Sequence, residues 1–164
     1  MRNYKYDADT VGIQAAMDAW NWDGAFELLA EPLHQALYAA QDFTVMDEMS
    51  VEERVILSFD YIRTQVLGGG FIQLIQNNYI SLLLPAIEGL QALSLEPGMI
   101  SLLDDVLRVY VLNRESLDRD TSVEEFGKLY EEFREFESLD DRFTALQPAT
   151  IQAILRHVMA DQTN

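Results

Sequence analysis

The chain has 164 residues and carries 28 Asp and Glu against 11 Lys and Arg, a formal charge of −17 at neutral pH. With 49% apolar residues it can fill a core, which excludes a wholly disordered acidic tail, and its charge argues against direct contact with nucleic acid or an anionic membrane. The absence of cysteine excludes disulfides, thiolate metal sites and cysteine nucleophiles.

Helical periodicity runs through the sequence and sustained strand alternation does not, so the expected fold is all-α: a bundle of about seven to nine helices, orthogonal rather than simply up and down. Asp9 or Thr10 caps a first helix that reaches about Trp20. A short helix over Asp23 to Ala30 follows, and Pro32 opens another from Leu33 to about Gln41. Ser50-Val51-Glu52-Glu53 is a capping box, after which Val55, Phe59, Ile62 and Val66 line one face. That helix stops at Gly68-Gly69-Gly70, and Phe71 restarts the chain as a short apolar helix.

Asn77-Asn78 marks a turn, and the next helix includes Pro85 to Leu93 with the proline in its first turn. Beyond Glu96-Pro97-Gly98, the positions Met99, Leu102, Leu103, Val106, Leu107 and Tyr110 make a buried stripe as far as about Leu112. Asn113 to Thr121 reads as a polar loop. Ser122-Val123-Glu124-Glu125 is a second capping box, opening a helix that presents Phe126, Leu129, Tyr130, Phe133 and Phe136 inward. Helices over Leu139 to Ala145 and Thr150 to Met159, separated at Pro148, complete the set. Residues 1–49 are expected to form an N-terminal helical extension packed on a core domain of residues 50–160.

The charge is segregated. Between Tyr6 and Glu53 there are eleven acidic residues and no Lys or Arg, and Glu115 to Asp141 carries a net −8. A folded chain of this length is about 40 Å across. An equal length of duplex DNA, with one charge per ~1.7 Å, bears about 24 charges, which compares with the 28 carboxylates here. From Ser122 to Phe136, Glu124, Glu131 and Glu135 recur at spacings of seven and four with Glu125 and Glu132 alongside, a ribbon of carboxylate on the solvent side. A solvated face that keeps the protein in solution is the plainer reading of the same ribbon.

Most catalytic chemistry finds no support. His34 and His157 are the only imidazoles. Glu31-Pro32-Leu33-His34 has the spacing of a carboxylate-bridged di-iron site in a single copy interrupted by proline. Asp118, Asp120 and Ser122 begin a calcium-loop pattern, but Val123 stands at the glycine position and Leu129 at the bidentate glutamate. The triple glycine lacks the lysine of a phosphate loop, and no serine lies in a nucleophile elbow. No enzyme, cofactor or metal site is expected.

Gly69-Gly70-Phe71-Ile72-Gln73-Leu74-Ile75-Gln76-Asn77 resembles the Gly-Gly-Phe-x-Gln-x-x-x-Asn signature of a bacterial all-helical family that includes an acidic DNA-mimic protein and many uncharacterised relatives. Ser50 to Val55 is similar to the family's lead into the preceding helix, and Phe136 to Phe143 to its acidic, aromatic closing segment. Where relatives commonly have Asn-Asn before the glycines, Leu67-Gly68 stands here, and Leu74-Ile75 replaces aromatics. Physically, Gly69 and Gly70 permit the turn and Phe71 anchors it. Gln73 and Asn77 share a helix face and are placed to satisfy backbone groups at the reversal.

The resemblance implies an all-helical fold, admits a homodimer and, for its characterised branch, implies binding a DNA-binding protein in place of DNA. The expected role is therefore a non-enzymatic, cytoplasmic protein-binding module. Glu124, Glu125, Glu131, Glu132, Glu135, Asp140 and Asp141, with Asp47, Glu48, Glu52 and Glu53, would meet a basic DNA-binding protein or another cationic protein. Two alternatives stand beside it: a small-ligand pocket near the glycine turn lined by Phe71, Gln73, Asn77 and Tyr61, and an immunity-type inhibitor of a basic toxin.

Overall fold

The first helix begins where Asp9 accepts a hydrogen bond from the Gly12 amide, and α1 spans Thr10–Asp18. The computed structural model describes residues 7–161. Asn21 caps α2, Trp22–Ala40, and a 3-10 segment over Phe43–Glu48 leads to α3, Val51–Gln76. A further 3-10 turn, Ile80–Leu82, precedes α4, Leu83–Ala92, and α5 covers Pro97–Leu112. The single turn α6, Arg114–Leu117, then α7, Val123–Glu132, and α8, Glu135–Asp161, complete an all-α bundle with no strand among the described residues.

Both capping boxes form. The Ser50 and Ser122 hydroxyls accept from the amides of Glu53 and Glu125, whose carboxylates accept in return from the amides of Ser50 and Ser122, each at 2.9 Å. Each exchange satisfies two amides that a helix start would otherwise leave without partners.

Helix α3 packs on α4, α8 and α2. Val55, Phe59 and Ile62 are fully enclosed, as the apolar spacing predicts. A file of rings crosses the core: Phe26 of α2 meets Phe59 of α3 at 6.2 Å, Phe59 meets Phe143 of α8 at 5.8 Å, and Phe143 meets Phe71 at 5.6 Å. Aromatic pairs at such separations add about 0.5–1.5 kcal/mol each beyond the area they bury. The N-terminal helix α2 thus shares one core with the rest. No helix among the described residues is long and apolar enough to cross a membrane.

Two prolines read differently in space. Pro32 lies inside α2 and Pro148 inside α8, so the pairs of short helices expected on either side of them are single helices. An interior proline forfeits one backbone hydrogen bond and crowds the preceding turn. In α2, however, Ala25, Phe26, Leu29, Ala30, Leu33 and Leu37 form one buried stripe through the proline, and in α8 buried residues run from Phe136 to Val158. Burial of about 1.5–3 kcal/mol per large side chain outweighs the local defect. A third difference lies after α7. The chain leaves the helix at Phe133 (φ −116°, ψ 59°), which places Glu131 and Glu135 on different helices and breaks the expected ribbon. Within the expected loop at residues 113–121, fully buried Leu117 draws α6 into a turn.

Candidate functional site

The reversal expected at the glycines is a sharp kink within α3. Gly69 takes φ −165°, ψ 24°, and Gly70 takes φ 73°, ψ −178°, a region open almost only to glycine. A Cβ at Gly70 would also lie 2.3 Å from Oδ2 of Asp140. The kink frees backbone groups that need partners. Asp140 Oδ1, from α8, accepts a 2.8 Å hydrogen bond from the Phe71 amide, and the Tyr130 hydroxyl, from α7, donates to the Gly69 carbonyl at 2.5 Å. Phe71 is fully buried beneath them.

Gln73 and Asn77 do share a face, but their amides do not serve the backbone. Both donate to Oε1 of Gln65, at 3.2 and 2.7 Å, clamping the two halves of α3 across the kink. They line an open cleft of about 390 Å³ with Gln76, Thr121, Ser122, Val123 and Phe126. The pocket expected from Phe71, Gln73, Asn77 and Tyr61 does not assemble, because Phe71 is enclosed in the core and Tyr61 packs instead against His34, Phe43 and Tyr79.

Two side chains thus fasten the acidic corner of the molecule to the kink, and the expected acidic residues divide by place. Glu131, Glu135 and Asp141 are exposed where α7 hands over to α8, and no ion pair among the described residues engages them. Glu132 is exposed but pairs with Arg119 at 2.8 Å, and Glu124 lies 3.6 Å from Lys128. Glu125 accepts from the Ser122 amide, which holds its carboxyl below the ordinary range and keeps it ionised. Asp140 serves the kink rather than an outer face. Burial, more than the neighbouring Asp141 and Glu137, pushes its carboxyl up to about 6 against the pull of the Phe71 amide.

A second acidic group stands at the other end of the first half of α3. Asp47 and Glu48 are exposed on the 3-10 segment and Glu52 is half-buried, whereas Glu53 is fully buried in its capping box and takes no part in a surface. At 1.5 Å per residue, the stretch from Glu52 to Gly70 separates the two groups by about 27 Å. One contributor escapes the sequence expectation: Glu137 is exposed, four residues before Asp141 on the same helix, a spacing that marks a shared face.

These features define a small all-helical protein with a glycine-broken central helix and exposed carboxylates beside the break. Residues 47–161 match the family model of the DMP19-like proteins, so the chain belongs to the DMP19-like protein family. The match takes in α3 through α8 and leaves α1 and α2 outside it. No curated protein and no solved structure matches the chain.

Proposed function

We propose that the chain is a non-enzymatic acidic module that receives a basic protein, taking the place that DNA occupies on that partner's binding surface. The observation that carries this is the corner where Glu131, Glu135, Glu137 and Asp141 lie exposed without cationic partners among the described residues, on helix ends pinned to the α3 kink. Carboxylates held on rigid elements imitate a phosphate array better than carboxylates on loops, because less freedom is lost when a partner grips them. Membership of the DMP19-like protein family supports the same direction.

The test uses a cationic protein retained by the immobilised chain at low salt, then purified. Its affinity should fall steeply with salt and be lost to competing duplex DNA. Replacing Glu131, Glu135, Glu137 with Gln and Asp141 with Asn should weaken it about fourfold or more, since each exposed pair contributes about 0.2–1 kcal/mol. A partner that binds the fourfold variant as well as the parent, or binds alongside duplex DNA, overturns the proposal.

A further inference from the structure

The N-terminal acidic block frames a second feature, independent of the kink. His34 and Tyr38 from α2, Phe43 from the first 3-10 segment, Tyr61 from α3 and Tyr79 beyond the kink bring their rings together. The Tyr61 centroid lies 5.0 Å from His34, 5.6 Å from Phe43 and 5.1 Å from Tyr79. An open cavity of about 250 Å³ sits on this cluster, with Tyr38, Phe43 and Tyr61 as aromatic walls and Asp42 on its lining. Tyr38 is 70% exposed and Phe43 40% exposed, so two of the rings present surface to solvent. Burial pushes the Tyr61 hydroxyl up to about 12.

The chemistry of the lining selects its occupant. Aromatic faces attract cations, and a carboxylate at their edge adds to that attraction while repelling anions. No Lys or Arg occurs between Tyr6 and Glu53 to fill the place from within. Among the described residues, the guanidinium groups that lie over rings are those of Arg63 on Phe26 and Arg156 on Trp22, at 5.8 and 5.1 Å, and neither covers Tyr38, Phe43 or Tyr61. A planar, weakly hydrated guanidinium stacks on such walls better than a compact, strongly hydrated ammonium.

We infer that the Tyr38–Phe43–Tyr61 cavity is the seat of an arginine side chain from the basic protein partner, with Asp42 as its counter-ion. The inference rests on the proposed capture of a cationic protein and adds an anchor to it.

The full chain is titrated at low salt with an oligo-arginine peptide and an oligo-lysine peptide of equal length, following the ring protons of Tyr38, Phe43 and Tyr61 and the backbone amides from Glu131 to Asp141 by nuclear magnetic resonance. Saturable ring shifts that are larger for arginine, and a loss of affinity of about threefold in both Tyr38→Ala and Asp42→Asn, are expected from one exposed cation–π contact with its carboxylate. The asparagine still accepts from the Thr44 amide as Asp42 does, at 3.0 Å, so the local turn survives and melting temperature should not move. Rings that stay silent while the Glu131 to Asp141 amides respond overturn the anchor and leave the proposed function standing. Equal ring shifts with the two peptides overturn the choice of arginine. Silence at every resonance overturns both.

Discussion

Asp140 comes from the most acidic stretch of the chain and spends its carboxylate on a backbone amide. Because its carboxyl in the folded protein titrates near 6 rather than 3.8, the folded state holds the proton more tightly than the unfolded one. Its contribution to stability is therefore fully present below about pH 4 and lost as pH rises through 6. Asp140→Asn keeps an acceptor for the Phe71 amide and removes the titration. Urea unfolding across pH 4 to 7 should then show a flatter stability profile than the parent, with no loss at neutral pH; a profile of unchanged slope would assign the pH dependence to other groups.

Which carboxylates are structural was partly legible beforehand. Glu53 and Glu125 cap through partners three residues away, a local pattern any reader of sequence can find. The Asp140 contact joins positions 69 apart, and no spacing announces it.

At the scale of elements, α2 is tied to α3 by more than apolar burial. Arg63, whose side chain is 9% exposed, donates to Asp23 at 2.9 Å and approaches Asp60 at 3.5 Å, while Asp60 meets Nε2 of His34 at 2.8 Å. Asp60 Oδ1 has no hydrogen bond among the described residues beyond that approach. Removing one member of a buried pair strands the other charge, typically at about 3–5 kcal/mol. Arg63→Met should accordingly lose about 3 kcal/mol and speed proteolysis within α2, and adding Asp60→Asn should recover part of the loss. Full stability in the single variant would show that apolar contacts alone hold α2.

The helix starts at Thr10, Val51 and Val123 were readable because caps are local, whereas Pro97, read as part of the punctuation before the Met99 stripe, is itself the first residue of α5. Pro32 and Pro148 misled for the converse reason. Whether a proline ends a helix depends on the burial of the turns on both sides, which is a property of packing.

Across the whole molecule, 28 acidic side chains face 11 cationic ones, an excess of 17 negative charges that ion pairing cannot reduce. Such a charge strains the compact state by self-repulsion. Raising salt from about 0.01 M to about 1 M shortens the screening length from about 30 Å to about 3 Å. The melting temperature should rise over that range, and a flat or falling response would mean that the surviving ion pairs outweigh the repulsion. The two acidic blocks were visible in the sequence. Their arrangement was not: the helix from the Ser50 capping box to the glycines was readable, but the Asp140 and Tyr130 contacts that fix the second block at its kink join positions 69 and 61 residues apart.

That helix acts as a gauge. With one carboxylate group at its opening turn and the other fixed where it bends, α3 sets an interval of about 27 Å, close to the rise of eight base-pair steps. A macromolecule that touches both ends at once must carry its own cations that far apart. Inserting or deleting a single turn in α3 would mis-set the interval without altering any charge.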